Sequence, residues 1–385
     1  MPLFLRSILV ILFLGFLSCN PHPVNSSRTL GLSPASLTKT PVRSTVTKKP
    51  MAKTIRKGIN KAPFSPQIEK LIQSTQKDPF DQRIEIISRF FLGKRYSRYT
   101  LGEGKQGRYD QKPLYRFDRF DCTTFIETVM ALSYAANPGD FIQYIKKIRY
   151  KNAKVSFLTR NHFPSVDWIP NNIKAHFLKD ITEELAGSIP VEKREIIIDK
   201  KKWLQTMPKR RLSVARGFNL SKILRELRQT QSPEKNEILT YINLEAIISD
   251  ENSLNHILKS IPSGSIINII QSNSPLTYRT GSTLNVIHQG LCIYKNGIPY
   301  FRHASSTRLK RVVETPLKKY LHRLYYMYVL GINVLKIQRP TKIKQVSMSK
   351  RDDLESQLKQ QVKAVSNLLK DLRPFVISIG IVDVE

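Results

Sequence analysis

One stretch decides the fold of this chain: Phe120-Asp121-Cys122-Thr123-Thr124-Phe125-Ile126-Glu127. The apolar residues in and after it recur at helical spacing and predict a helix from Cys122 to about residue 136. Asp121 is a good N-cap residue, which places Cys122 at the first helical position. The unpaired backbone N–H groups and the positive end of the helix dipole there favour thiolate over thiol. We therefore predict that Cys122 is a nucleophile and that it requires a base.

Two of the seven histidines are placed to supply that base. His288 and His303 lie on two predicted strands joined by a hairpin turn at Lys295-Asn296-Gly297. Antiparallel pairing across this turn brings both imidazoles to one face, and the small Gly290 allows another element to approach closely. We predict a triad in which Cys122 is the nucleophile, His288 the general base and His303 the residue that orients His288.

Composition limits the partners and cofactors of the chain. With 63 Lys+Arg against 30 Asp+Glu, the net charge is +33 over 385 residues, which suits nucleic acid, anionic lipid or an acidic cell-wall polymer. No RNA-binding signature or zinc-finger spacing occurs, so we do not expect nucleic acid as a partner. Three cysteines argue against a disulfide framework, and we expect free thiols. Without a zinc-ligand cluster, we predict no metal and no cofactor.

The chain divides into four predicted parts. Residues 1–19 read as an export segment ending at Cys19, which is either lipidated, lost on cleavage or part of an uncleaved anchor. Residues 20–64 form a disordered basic tether of Ser, Thr, Pro and Lys, which could lie near an anionic membrane surface. Residues 65–340 form the ordered domain, with a basic insertion at 190–235, and residues 341–385 carry an amphipathic helix and a tail. We expect an exported bacterial protein, periplasmic or membrane-anchored.

A resemblance to a known family rests on several motifs that occur in the same order. The chain resembles the DUF1460 family of N-acetylmuramoyl-L-alanine amidase-like proteins, within the NlpC/P60 papain-like superfamily, over residues 80 to 338. The motifs are Phe91-Leu92-Gly93-Lys94-Arg95-Tyr96, Arg119 to Phe125, Arg160-Asn161-His162-Phe163 with Trp168, Ser263-Gly264-Ser265, His288-Gln289-Gly290, His303-Ala304-Ser305-Ser306, Tyr320-Leu321 and Gly331-Ile332.

The resemblance implies a fold, and three features of the chain depart from the family pattern. The implied fold is α+β and papain-like, with the nucleophile helix packed on a small antiparallel β-barrel or sheet and further helices at the N-terminal side. The first departure is the loop Arg279 to Leu284 before His288, and the second is Gln289, which stands directly after His288 where an apolar residue is usual in the family. The third is the stretch 190–235, which is longer and more basic than the family pattern.

The resemblance also implies a reaction and a substrate. It implies hydrolysis of the amide between the lactyl group of N-acetylmuramate and L-alanine, through an acyl-enzyme, with peptidoglycan fragments as the bound partner. We expect the protein to be a monomer. Arg160, His162 and Trp168 would line the substrate cleft, or instead form a structural loop held by an aromatic residue. Two alternatives remain: cleavage of the γ-D-glutamyl–diamino acid bond in the same polymer, and a non-catalytic wall-binding lipoprotein.

Overall fold

The computed structural model describes residues 64–214, 219–272, 284–307, 309–327, 329–339 and 360–361. The predicted export segment, nearly all of the predicted tether and most of the predicted C-terminal helix lie outside the described residues. Among the described residues, no helix is both long enough and apolar enough to span a membrane.

The described residues combine helices with antiparallel strands, which confirms the predicted α+β class. The helices are α1 (Pro66–Ser74), α2 (Phe80–Phe90), α3 (Cys122–Tyr134), α4 (Pro138–Arg149), α5 (Ile169–Lys174), α6 (Thr182–Ala186), α7 (Lys200–Gln205), α8 (Leu220–Gln229), α9 (Leu244–Ser249), α10 (Glu251–Ser260) and α11 (Leu317–Tyr325). The strands are β1 (Arg95–Tyr96), β2 (Arg119–Phe120), β3 (Leu178–Asp180), β4 (Val191–Ile198), β5 (Lys235–Asn243), β6 (Ile266–Ser272), β7 (Leu284–Lys295), β8 (Ile298–Ala304), β9 (Val312–Pro316) and β10 (Val329–Ile337).

Eight of these strands form one antiparallel sheet in the order β4-β5-β10-β6-β7-β8-β9, with β3 also paired to β10. The predicted hairpin is present: β7 and β8 pair from Leu291 opposite Arg302 to Lys295 opposite Ile298. Its two-residue turn uses Asn296 and Gly297, both with positive φ (51° and 76°), as this tight connection requires. The short strands β1 and β2 pair in parallel and lead directly into α3.

Helices cover both faces of the sheet, so it has two apolar cores. Helices α1 to α4 pack in the first core, whereas α6, α9, α10 and α11 pack in the second. Alternate residues of β6 point to opposite faces, with Ile266 and Ile270 in the first core and Ile267 and Ile269 in the second. Because α3 lies against the sheet and among the other helices, every residue from Thr124 to Ser133 is buried, and this explains its apolar composition.

The predicted basic insertion contains secondary structure of its own between β4 and β5. It holds α7, the short 3-10 turn Lys209–Arg211 and α8. Its lysines at 201, 202 and 209 are exposed, as a solvated face requires, but Trp203 and Leu204 are buried in the first core. The segment is therefore partly core, because its apolar residues face the loop at 157–163.

Candidate active site

Cys122 is the first residue of α3, as the sequence predicts. Asp121 is the N-cap, and its carboxylate accepts a hydrogen bond from the Thr124 backbone N–H at 2.8 Å. The Thr124 hydroxyl in turn accepts from the Asp121 backbone N–H at 2.9 Å, which completes a capping box. Both described cysteines are free thiols; Cys122 is half-buried, whereas Cys292 is fully buried in the second core. The cap fixes the direction of the first turn and with it the position of the Cys122 side chain.

The two predicted histidines are in hydrogen-bond contact. His288 Nε2 lies 2.6 Å from His303 Nδ1, and the two rings are nearly perpendicular. This contact leaves Nδ1 of His288 available to serve as a base. His303 is itself held between the rings of Phe301, at 4.7 Å, and Tyr320, at 5.2 Å. The sequence therefore predicts this pair correctly, because a hairpin register places both residues on one face.

Gly290 creates the space in which this pair forms. A Cβ atom added at Gly290 would lie 2.5 Å from two carbons of the Phe301 ring and 2.9 Å from the His303 Cβ. Any larger residue would therefore displace the ring that supports His303, or His303 itself. The close approach that the sequence predicts at this glycine is present.

Burial favours the neutral forms of the Cys122 thiol and of the His288 and His303 imidazoles. It raises the pKa of the Cys122 thiol to about 11, and the Asp121 carboxylate acts in the same direction, while hydrogen bonds from the backbone N–H groups of Gln289 and Thr123 oppose both. Burial also lowers the pKa of His288 to about 4 and that of His303 to about 2. The expected resting thiolate is thus not favoured here, because the loss of hydration at the thiol outweighs the help of the helix start.

Four residues beside the three predicted site residues were not themselves predicted as site residues. Tyr96 pairs with Phe120 in the β1–β2 ladder, and its hydroxyl accepts a hydrogen bond from Arg98 Nε at 2.9 Å. On α11, the Arg323 guanidinium lies over the Tyr320 ring, 4.9 Å from its centroid. After burial, the charges of Arg323 and Arg98 are the next causes of the low His288 pKa. Two exposed cations therefore flank the base.

The three residues predicted to line a cleft are buried or make contacts within the fold. Trp168 is fully buried in the first core, so it does not line an open cleft. Arg160 Nη1 donates to the Leu101 carbonyl at 2.7 Å. His162 Nε2 lies 2.7 Å from the Phe157 carbonyl oxygen, and its ring packs 4.7 Å from that of Trp203. These contacts favour the structural-loop interpretation that the sequence left open, because the polar atoms are engaged by the backbone.

Comparison with known proteins identifies the family. A family model described as AmiA-like, N-acetylmuramoyl-L-alanine amidase-like, matches residues 86–326. The chain belongs to this family. Its fold is similar to that of a DUF1460-family protein from Legionella pneumophila, with 32% identity, a TM-score of 0.64, and coverage of 71% of this chain and 93% of that one. A search of curated proteins gave no match.

A second solved structure is more distant from this amidase-like chain. It is an N-acetylmuramoyl-L-alanine amidase from Bacteroides uniformis, with 24% identity and a TM-score of 0.48, covering 67% of this chain and 99% of that one. Family membership makes the chain amidase-like, which suggests a hydrolase with peptidoglycan as its substrate. Among the described residues of this family member, no group of three or more His, Cys, Asp or Glu could hold a metal ion.

Tyr96, Arg98, Tyr320 and Arg323 were missed for different reasons. Tyr96 and Tyr320 occur in the motifs that carry the family resemblance, so a signal for them existed. The two arginines belong to no motif, and in a chain with 63 Lys+Arg a single basic residue is not informative. Only the packing of β1 beside β2, and of α11 beside β8, brings them to the site.

Proposed function

We propose that this protein is a cysteine amidase of the papain-like NlpC/P60 type, which hydrolyses the amide between N-acetylmuramate and L-alanine in muropeptides. The observation that carries the proposal is the hydrogen-bonded pair of His288 and His303 together with a cysteine at a helix start, whose thiol accepts a hydrogen bond from the backbone N–H of Gln289, the residue after His288, in a family of amidase-like proteins. The two flanking arginines also support it, because the peptide stem of such a substrate carries carboxylates that a guanidinium binds well.

Acylation begins with a neutral thiol and a neutral imidazole. As Cys122 Sγ attacks the lactyl carbonyl carbon, its proton passes to Nδ1 of His288, and the carbonyl oxygen becomes an oxyanion. The backbone N–H of Cys122, one of the unpaired donors of the helix start, is the natural donor to this oxyanion. The C–N bond then breaks, His288 protonates the leaving amine of L-alanine, and the thioester remains.

Deacylation uses the same groups in the opposite order. His288 takes a proton from water as the water oxygen attacks the thioester carbon. The C–S bond breaks, the sulfur recovers its proton from His288, and the muramyl carboxylic acid leaves. Throughout, His303 Nδ1 accepts a hydrogen bond from the Nε2–H group of His288 and thereby fixes the tautomer with Nδ1 of His288 free. The low pKa of His303 suits this role, because His303 must stay neutral to accept.

Muropeptide digestion with two cysteine variants tests the proposal. Wild-type protein and Cys292→Ala should release free sugar and an intact stem peptide, identified by mass spectrometry, whereas Cys122→Ala should release neither. Cys292 is the matched control, since it is a free thiol that lies in the second core. A shortened stem would support the alternative γ-D-glutamyl endopeptidase. If the protein binds muropeptides but forms no product that depends on Cys122, both enzyme functions are overturned.

We also propose that the protein is exported. The support is the sequence of residues 1–19 and the basic residues that follow, through which an anionic membrane surface would be contacted. Cell fractionation of wild type and Cys19→Ser tests this proposal. A membrane-bound wild type with a released variant supports lipidation at Cys19, and retention of the full-length precursor in the cytoplasm would contradict export.

A further inference from the structure

A row of buried amide side chains crosses the sheet beneath the start of α3. Gln289 on β7, Asn268 on β6 and Asn333 on β10 lie directly opposite one another in the strand register, and all three are fully buried. Gln289 Nε2 donates to Asn268 Oδ1 at 2.7 Å, and Asn268 Nδ2 donates to Asn333 Oδ1 at 2.8 Å. We call these three residues the amide row.

Both ends of the amide row are anchored. At one end, the Thr123 hydroxyl in the first turn of α3 donates to Gln289 Oε1 at 2.7 Å. At the other end, Asn333 Nδ2 donates to Asp180 Oδ2 at 2.8 Å and to Thr182 Oγ1 at 2.9 Å. Every donor therefore points away from α3 and towards the Asp180 carboxylate, so the bond dipoles align and polarise one another.

The amide row lies in an apolar part of the sheet. Its neighbours on the same sheet face are apolar, including Ile266, Ile270 and Leu291. Amides buried in such surroundings cost free energy unless their polar atoms are paired, as they are here. Such a network favours one arrangement of the connected elements over alternatives that apolar packing would tolerate. The element that the row connects to the sheet is the first turn of the nucleophile helix.

We propose that Gln289 is a positioning residue that holds Cys122 beside His288 by means of Thr123. Gln289 directly follows the base on β7, and Thr123 directly follows the nucleophile on α3, so their 2.7 Å bond joins the neighbours of both catalytic residues. Since Gln289 engages the only hydroxyl proton of Thr123, the Thr123 oxygen faces Cys122 Sγ, 4.0 Å away, as an acceptor. The bond thereby fixes the separation of nucleophile and base.

The test compares Gln289→Leu, Thr123→Val and the double variant with wild type. The first readout is the rate at which iodoacetamide alkylates Cys122, followed by peptide mass mapping, and it needs no substrate. The second is kcat and KM for muropeptide hydrolysis, which rests on the proposed function. We expect each single variant to lose about tenfold in alkylation rate and in kcat, with KM changed less than about twofold, because the reacting groups are misplaced.

The double variant carries the decisive comparison. If the two side chains act through one bond, the double variant should lie within about twofold of either single variant, whereas independent effects would multiply to about a hundredfold. Thr128→Val is the matched control, since the buried Thr128 hydroxyl donates only to the Thr124 carbonyl on the same helix at 2.7 Å. Its alkylation rate and kcat should stay within about twofold of wild type.

Two results would overturn the proposal. One is a multiplicative loss in the double variant, and the other is an unchanged alkylation rate in Thr123→Val. Thr123→Val leaves the amide row in place, so it decides the question by itself if Gln289→Leu does not fold. Coupled losses of alkylation in a protein that cuts no muropeptide would support the positioning role while refuting the amidase function.

Discussion

The substitution Gly290→Ala should distinguish an effect on the geometry of the proposed active site from an effect on stability alone. The added Cβ would lie 2.5 Å from two Phe301 ring atoms and 2.9 Å from the His303 Cβ, where ordinary contacts begin at 3.4 Å. Phe301 or His303 must therefore move by about 1 Å. Overpacking of this kind costs about 1–3 kcal/mol in the free energy of unfolding. Because His303 orients His288 through a 2.6 Å contact, the displacement should lower kcat on the order of a hundredfold.

Gly331→Ala is the matched control for this substitution. Gly331 lies on β10, two strands from β7, and its added Cβ would meet the Ile242 carbonyl oxygen at 2.2 Å and the Tyr241 ring at 2.5 Å. The steric conflict is at least as severe but involves neither histidine. Urea unfolding should show a loss of stability in both variants, whereas muropeptide hydrolysis and Cys122 alkylation should fall only in Gly290→Ala. Equal kinetic losses in both, or an active Gly290→Ala enzyme, would refute the reasoning.

Two further predictions concern stability. Burial lowers the pKa of His288 from 6.5 to about 4, so the unfolded chain binds more protons below pH 6.5, and the free energy of unfolding should fall as the pH falls from 6.5 to about 4. His288→Asn should make this slope shallower in urea titrations at a series of pH values; an unchanged slope would contradict the assignment. Glu127→Ala should cost about 3–5 kcal/mol, because it leaves the fully buried Arg149 guanidinium without its carboxylate partner. Glu184→Ala, which removes an exposed partner of Lys179, should cost less than about 1 kcal/mol, and similar losses in both would contradict the burial argument.

Local signals in the sequence predict much of the site. An N-cap followed by apolar residues at helical spacing identifies the first residue of α3, and a turn sequence with positive-φ residues identifies the β7–β8 hairpin. Once the hairpin is known, its register follows, and with it the contact between His288 and His303. These features depend on residues close together in the chain.

The features that the sequence does not predict depend on packing between distant segments. Trp168 is buried in the core, and Trp203 packs against Phe163 from a distant segment, and no local pattern indicates either fact. The neutral state of Cys122 depends on how many groups surround the thiol, not on its place in a helix. Gln289 is visible in the sequence as a departure from the family pattern, but its partners lie on other strands and on α3.

The large sequence separation between Cys122 and His288, the proposed nucleophile and base, has a consequence for folding. Thr123 and Gln289, the neighbours of Cys122 and His288, are 166 positions apart in sequence. Contacts with such large sequence separation form after local structure, because closing the intervening loop costs entropy first. The helix that bears the thiol can therefore form before the strands that bear the imidazoles are in place. Until the sheet closes, Cys122 lacks its proposed base, so under the proposed mechanism the nascent chain carries no competent nucleophile.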